Sequence, residues 1–206
     1  IPLASRTLAP KSAASLLRPI EWPELPDAED RDALWRFAAL PQILDGASSF
    51  CETWIRAWVE APPKEADAYQ PYTVAERLAN WGVFLARTGA SSKWDAAFRG
   101  RFAAEVRRQC ENLAANLEYY GEALTGNHLS NDGRGLLWGA RIRGDHSLAE
   151  WAAKIVVGEY SRIMQPEGML REGSSHYQFL ITRNFLECLW ISEKLGAGEL
   201  AKFGHE

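Results

Sequence analysis

The feature that most constrains the fold of this chain is a row of apolar side chains between residues 98 and 117. Its members follow one another at steps of four and three residues: Phe98, Phe102, Val106, Cys110, Leu113 and Leu117. Side chains at these steps share one face of an α-helix, which completes a turn about every 3.6 residues. Such a face must be buried against other elements, so the row predicts a helix inside a packed helical domain. Ser91 or Ser92 is expected to cap its start.

Helical periodicity accounts for most of the remaining sequence. Helices are predicted over about 28–40, from there to about Val59, from the capping box of Thr73 and Glu76 to Gly89, from Asn127 to about Ile142, from the capping box of Ser147 and Glu150 to the residues before Pro166, and from about Ser175 to Leu195. No alternation typical of strands is present over a useful length. We therefore predict an all-α fold of about seven helices in antiparallel hairpins, a layout that suits a partial (α/α) toroid better than a four-helix bundle.

Length and composition set the outer limits. Residues 1–27, rich in Pro, Ser and Ala, are predicted to form an irregular arm, and 28–206 a helical domain. A length of 206 residues suits one domain with a sizeable core or a large piece of a bigger one. The net charge of −4 without a basic block argues against a nucleic-acid partner, and no apolar run approaches a membrane span. The three cysteines offer no disulfide or metal spacing, so Cys51 and Cys110 are expected to be buried free thiols. No metal or other cofactor is predicted.

Glycines and tryptophans also carry information about packing. Three glycines, Gly133, Gly135 and Gly139, fall inside one predicted helix. Each costs roughly 1 kcal/mol of helix propensity, so close packing or a local irregularity is expected there. Nine tryptophans are many for this length and favour a binding groove without locating it. Those at helical spacing are expected to lie in the core: Trp81, Trp138 and Trp151.

Two segments hold the residues best suited to chemistry. The first is 126–131, Gly-Asn-His-Leu-Ser-Asn, and the second is 167–177, which ends in Ser-Ser-His-Tyr. The helix that starts near residue 128 runs away for roughly 21 Å, and the next helix runs back for roughly 26 Å, at 1.5 Å per residue. Because the second segment returns to the end where the first begins, we predict that Asn127, His128 and Tyr177 share one rim.

Both segments open helices, whose first N–H groups are unpaired and carry partial positive charge. A carboxylate would be bound favourably there. The Asn127 amide could donate to it, His128 could add a donor or a positive charge, and Tyr177 could transfer a proton. The surface is expected to be electropositive, with Arg134, Arg171 and the helix starts as the sources.

These residues resemble the helical domain of heparinase II/III-like polysaccharide lyases, a family that includes heparan sulfate and alginate lyases. The family pattern is an Asn-His-Leu segment with a second Asn three residues after the His. One helical hairpin later comes an acidic-Gly turn with Glu, Ser and Tyr at offsets of five, seven and ten. Here the pattern reads Asn127, His128, Leu129, Asn131, then Glu167, Gly168, Glu172, Ser174, Tyr177. The segment 71–81, which contains Arg77, and the Leu-Glu-Tyr at 117–119 are also similar, so the resemblance covers about residues 30–195.

The resemblance implies β-elimination at a uronic acid of an acidic polysaccharide. A base removes the proton at C5, next to the carboxylate, and the 4-O-glycosidic bond breaks. Neutralising the carboxylate is the main electrostatic task. Carried over by position, Asn127 would neutralise it, His128 would assist or act as base, and Tyr177 would serve as base, acid or both. The residues assigned to substrate binding are Asn131, Glu172, Arg171 and Arg77.

The chain also departs from the family pattern. Glu167 stands where the family usually has Asp, and the segment 120–126 differs in length. Family members continue into a β-sandwich domain that closes the cleft, and nothing in this sequence resembles it. The resemblance therefore implies that the chain supplies one wall of the site and is inactive, or nearly so, by itself. A periplasmic or secreted location is suggested by the resemblance alone.

Other interpretations of the same residues remain open. A toroid glycoside hydrolase would act through two carboxylates, with Glu167 and Glu172 as candidates. A non-catalytic carbohydrate-binding or scaffold domain is the other alternative. Locally, Asn127 could be only a helix cap and Arg77 only a partner in an internal ion pair. Glu172 is expected to brace its loop by accepting backbone N–H bonds, and Tyr177 could simply pack inward.

Overall fold

The computed structural model describes residues 48–124 and 126–195, and the regular structure there is helical. Its α-helices are α1 (Ser48–Glu60), α2 (Pro71–Thr88), α3 (Ala96–Ala115), α4 (Asn127–Arg143), α5 (His146–Ile163) and α6 (Ser175–Leu195). Short 3-10 turns lie at Ala66–Tyr69, Ala90–Lys93 and Glu122–Leu124. The all-α prediction is confirmed for the described residues, whereas the predicted arm 1–27 and helix 28–40 lie outside them.

Helices α2, α4 and α6 run parallel to one another, with α4 in the middle. The order of contacts along the helices shows their direction, since earlier residues of α4 meet earlier residues of its neighbours. The contacting pairs are Gly135 with Ala75, Trp138 with Gly82, Arg134 with Glu187, and Trp138 with Trp190. The three helices therefore start at the same end of the array.

Helices α1, α3 and α5 run in the opposite direction. Contacts between α2 and α3 and between α5 and α6 join the first part of one helix to the last part of the other, so the helices of each pair are antiparallel. Helices α1 and α3 are parallel, since earlier residues of one contact earlier residues of the other. The pairs that define this are Arg77 with Gln109, Trp81 with Phe102, His146 with Leu195, Glu52 with Trp94, and Trp58 with Glu105. The predicted antiparallel hairpins are thus present in the described part of the chain.

This arrangement gives the array two distinct ends. The first turns of α2, α4 and α6 lie at one end, which we call the Asn127 end. The connection between α4 and α5 lies at the other, which we call the Gly144 end after the residue that terminates α4 at φ 66°. Glycine adopts that left-handed conformation without the steric cost that a Cβ brings.

The glycines inside α4 allow its close approach to the neighbouring helices. A Cβ built on Gly135 would lie 2.5 Å from the Cα of Ala75 in α2. A Cβ on Gly133 would lie 2.8 Å from Val156 in α5, and one on Gly139 would overlap the Cys110 sulfur in α3. The close packing predicted from these glycines is confirmed. It explains why α4 can occupy the centre of the array.

Several helix starts differ from those predicted. α2 begins at Pro71, whose missing N–H and fixed φ suit the first helical position, and Thr73 is buried within the first turn. Asp95 caps α3 by accepting the N–H of Phe98 at 2.8 Å. Asp145 caps α5 in the same way. The carboxylates therefore replace the predicted caps Ser91, Ser92 and Ser147. The end predicted at Gly89 is confirmed. The last helix is described as far as Leu195, so its predicted end there stays a prediction.

The core is rich in aromatic rings and contains the cysteines. Trp81 and Trp138 are buried as predicted, whereas Trp151 is 40% exposed. Cys51 and Cys110 are free and buried, also as predicted, and burial raises the pKa of each thiol to about 11. Neither thiol is therefore suited to act as a nucleophile near neutral pH. None of the described helices has the length and apolar character needed to cross a membrane.

Candidate functional site

Asn127 and Tyr177 lie at the same end of the helical array. The ion pair between Arg134 and Glu187, 3.1 Å apart, fixes the register of α4 against α6. Asn127 precedes Arg134 by seven residues in α4, and Tyr177 precedes Glu187 by ten residues in α6. Both therefore lie on the same side of the ion pair, about 10 Å and about 15 Å from it along the helix axes. The out-and-back helix lengths thus bring the two residues to one end, as the sequence argument predicts.

His128 is held in a defined orientation by Glu118. The Nδ1 atom of His128 lies 2.9 Å from Oε1 of Glu118, in the segment that connects α3 to α4. Because an ionised carboxylate only accepts hydrogen bonds, Nδ1 carries the proton, and Nε2 of the neutral ring keeps its lone pair. The His128 side chain is 53% exposed and that of Glu118 only 16%. The Tyr72 ring packs against the imidazole, with the two ring centres 5.0 Å apart. The pair can therefore present a basic nitrogen to a ligand.

Asp132 lies buried behind this pair. Its Oδ2 accepts the backbone N–H of Glu118 at 2.8 Å, and within the described residues its Oδ1 has no hydrogen-bond partner. Burial, and to a lesser degree the nearby negative charge of Glu118, raise the pKa of Asp132 to about 7. Asp132 thus anchors the segment that carries Glu118, and it is a buried carboxyl that titrates near neutral pH.

Replacing Asp132 with Asn should make the protein more stable at high pH but not at low pH. The carboxyl titrates near 3.9 when unfolded and at about 7 when folded, so the wild type loses stability as pH rises from 4 to 7. Asn keeps an acceptor for the Glu118 N–H and does not titrate. We expect the free energy of unfolding of Asp132→Asn, relative to that of the wild type, to be higher at pH 8 than at pH 4 by up to about 4 kcal/mol. Urea unfolding of both proteins across this range measures it, and a difference independent of pH would contradict the assignment.

Asn127 occupies the first turn of α4, not its cap. Gly126 is the N-cap residue, and among the described residues no side chain caps this helix start. The interpretation of Asn127 as a simple cap is therefore wrong. The Asn127 carbonyl accepts from the Ser130 hydroxyl, while its half-buried amide makes no hydrogen bond within the described residues. An amide and uncapped N–H groups together favour a bound anion.

The segment that leads to Tyr177 is a tight turn braced by Gln178. Met164 pairs with Leu170 as an isolated β-bridge, and Gly168 has φ 79° within the turn. Gln178 accepts the N–H of Leu170 at 2.6 Å and donates to the Gly168 carbonyl at 3.1 Å. This is the bracing role predicted for Glu172. The Glu172 carboxylate is instead exposed and accepts no backbone hydrogen bond within the described residues.

Tyr177 lies in the first turn of α6 and is 39% exposed, so it does not pack inward. Its ring contacts that of His176 edge to face, with the ring centres 5.5 Å apart. Its hydroxyl makes no hydrogen bond within the described residues. Arg171 is also exposed in the preceding turn. Both side chains are therefore accessible to a ligand at the Asn127 end.

Two of the residues assigned to substrate contact are buried instead. Asn131 is 1% exposed, and its Oδ1 accepts from Arg134 at 3.1 Å. Arg77 is also 1% exposed, donates to Gln109 and to the Ala68 carbonyl, and lies 3.9 Å from the centre of the Trp58 ring. Direct contact with a ligand is not compatible with these positions. Both residues support the helices that carry the site.

Arg134 is also not the source of positive potential that was predicted. It is buried, with Glu76 at 2.7 Å and Glu187 at 3.1 Å from its guanidinium. Burial opposes the charged form, but the two carboxylates outweigh it, so the pKa of Arg134 is held above its usual value. Since two carboxylates face one guanidinium, the cluster adds no positive charge to the surface. Arg171 and the helix starts remain as sources at this end.

Sequence reasoning missed Glu118, Asp132 and Gln178 as parts of the site. Asp132 follows His128 by four residues, so a shared helix face could have indicated it. Glu118 is ten residues before His128 and approaches it through an irregular connection, which no periodicity describes. Gln178 braces residues up to ten positions earlier, and only the shape of the turn reveals that contact.

Comparison of the chain with known proteins found no relative. Neither protein-family models, nor curated proteins, nor solved structures gave a match to the chain.

Proposed function

We propose that this chain forms the helical wall of a polysaccharide lyase that cleaves uronic-acid-containing chains by β-elimination. The observation that carries the proposal is the hydrogen-bonded pair of Glu118 and His128 at the start of α4, at the same end as the exposed Tyr177. A carboxylate-oriented histidine and a free tyrosine hydroxyl are the groups that a proton-abstracting reaction requires. The uncapped start of α4 beside Asn127 supports binding of the substrate carboxylate.

In the proposed reaction, the substrate carboxylate binds the Asn127 amide and the first N–H groups of α4. This lowers the cost of placing further negative charge next to it. The neutral Nε2 of His128 takes the proton from C5. The electron pair left at C5 forms the C4–C5 double bond while the bond from C4 to the glycosidic oxygen breaks. That oxygen takes a proton from the Tyr177 hydroxyl.

Glu118 is a positioning residue in this scheme. Its carboxylate fixes the tautomer of His128 and stabilises the imidazolium that forms when Nε2 takes the proton. Asp132 holds the Glu118 backbone in place through the 2.8 Å hydrogen bond to its N–H. Arg171 is the exposed cation that we assign to substrate binding, and Glu172 is the exposed carboxylate beside it.

We further propose that the described helices are an arc of an (α/α) toroid whose site is completed by a β-sandwich domain. The parallel layer of α2, α4 and α6 beside three opposed helices supports the first part. Exposed apolar side chains support the second, because such surface normally marks a contact. Those at the Asn127 end are Tyr119, Tyr120, Leu124, Met169 and Phe179. Leu186 and Trp190 continue the exposed apolar surface along α6.

The proposal is tested by the appearance of an unsaturated product. The 206-residue chain and the full-length protein that contains it are incubated with alginate, heparan sulfate and hyaluronan, and new ultraviolet absorbance is followed. We expect turnover by the full-length protein on one of these polymers and almost none by the short chain. Tyr177→Phe in the full-length protein should lower kcat by about a hundredfold or more, since general acid–base groups contribute that much.

Tyr69→Phe is the matched control. It removes the same hydroxyl, but the Tyr69 hydroxyl donates to the Pro63 carbonyl at 2.6 Å and is therefore not available to a substrate. Turnover should be unchanged in this variant. Reducing ends without new absorbance would favour a hydrolase acting through Glu167 and Glu172, and binding without any product would favour a scaffold. Unchanged activity of Tyr177→Phe would remove that residue from the mechanism.

A further inference from the structure

A second feature that could bind a ligand lies at the Gly144 end, away from the residues discussed above. It is a cavity of about 890 Å³ between the ends of α2 and α4 and the starts of α3 and α5. Small-molecule sites span about 300–1,000 Å³, so the cavity has room for a whole ligand and not only for water. About 24 Å of α4 separates it from Asn127, at 1.5 Å per residue. It is therefore not a part of the proposed lyase site.

The described lining of this cavity is strongly basic. Four arginines face it, namely Arg99, Arg107, Arg141 and Arg143, and Asp145 is the carboxylate among the described lining residues. This is a formal excess of three positive charges in a chain whose net charge is −4. Such a concentration of one sign in a concave surface raises the local concentration of counter-ions of the opposite sign.

The Asp145 carboxylate is already engaged on both oxygens. One accepts the N–H of Leu148 at 3.0 Å, and the other pairs with Arg143 at 3.1 Å. Arg99 donates to the Trp94 carbonyl. Arg107 and Arg141 are exposed and form no ion pair or hydrogen bond with the described part of the protein. Two guanidinium groups are thus free to bind an external anion.

Other groups in the lining add shape and a further polar contact. Trp94, Phe102 and Trp138 form an aromatic floor, and each is almost completely buried by its neighbours. The Nδ1–H group of His146 donates to the Leu195 carbonyl at 3.0 Å, which leaves Nε2 as an acceptor for a hydroxyl group of a ligand. The floor is therefore well packed, and the polar groups lie around it.

We propose that this cavity binds a small, multiply charged anion whose carboxylate, sulfate or phosphate groups are held by Arg107 and Arg141. Guanidinium groups bind such oxyanions through paired N–H donors, which gives both affinity and orientation. The described lining contains no free carboxylate that would offset this attraction. The proposal does not depend on lyase activity at the opposite end.

Isothermal titration calorimetry on the intact 206-residue chain tests the proposal. The probes are citrate, pyrophosphate and digalacturonate, so that tricarboxylate, phosphate and acidic-sugar sources of the same chemistry are compared. We expect saturable binding of at least one probe, weakened by added salt. The double variant Arg107→Gln/Arg141→Gln should bind that probe at least about tenfold more weakly, since hydrogen bonds to charged groups are lost.

Arg101→Gln is the matched control for charge. Arg101 lies on the same helix, α3, pairs with Glu60 at 3.6 Å, and is not part of the cavity lining. Affinity should stay within about twofold of the wild type in this variant. Circular dichroism checks that all variants keep the helical fold. Absence of binding by all three probes would overturn the proposal, as would equal affinity of the double variant, or a loss of affinity in Asn127→Ala instead.

Discussion

Arg134→Met is expected to lower the free energy of unfolding by about 3–5 kcal/mol, because it leaves two buried carboxylates without their cation. The Arg134 side chain is 4% exposed, and those of Glu76 and Glu187 are 10% and 17% exposed. Water cannot replace the lost ion pairs at such depth. Met fills a similar volume, so the loss reports the uncompensated charge and not a cavity. Urea unfolding of the two proteins measures it.

Two further variants distinguish this explanation from a general effect of removing an arginine. Arg101→Met breaks an exposed pair with Glu60 and should cost less than about 1 kcal/mol. The triple variant Arg134→Met/Glu76→Gln/Glu187→Gln removes the whole cluster of charges, and it should recover part of the stability lost in Arg134→Met. A loss in Arg134→Met no larger than in Arg101→Met would show that the cluster does not stabilise the array.

The Arg134 cluster also shows where inference from the sequence reaches its limit. A helical arginine about two turns after an Asn-His pair looks like a source of positive potential for an anionic ligand. Its actual partners lie 58 residues before it and 53 residues after it, on two other helices. Which face of α4 points inward depends on both neighbours at once. Local pattern does not contain that information, so the interpretation of Arg134 as a surface charge was wrong.

The helices themselves could be predicted because their signal is local. The apolar row from Phe98 to Leu113 is buried in the structure, and the last helix starts at Ser175 as predicted. The sequence also predicted that Asn127 and Tyr177 lie at the same end of the helical array, since the lengths of the two helices between them determine where the chain returns. Caps were predicted less well. Several Ser, Thr and Asp residues near each start can accept the same N–H groups, and the choice depends on the preceding turn.

The role of the glycines in α4 could be predicted from the sequence only in part. Their number indicated close packing, but the sequence alone does not identify the partner of each one. Gly135 faces the backbone of α2 at Ala75, whereas Gly100 in α3 has nothing within 4 Å of the position a Cβ would take. One helical glycine is thus required by its neighbour, while the other only reduces helix propensity. The two positions form a matched pair for an experiment.

Gly135→Ala should lower the free energy of unfolding by several kcal/mol, and Gly100→Ala should raise it by about 0.5–1 kcal/mol. At Gly135 the new Cβ would lie 2.5 Å from the Cα of Ala75 and 3.1 Å from its carbonyl oxygen, so α2 and α4 must move apart. Adding Ala75→Gly to Gly135→Ala removes the facing Cβ but not that Cα, so only partial recovery is expected. Urea unfolding of the four variants, Ala75→Gly alone included, tests this against the wild type. Equal effects of alanine at positions 135 and 100 would contradict the close approach of α2 and α4.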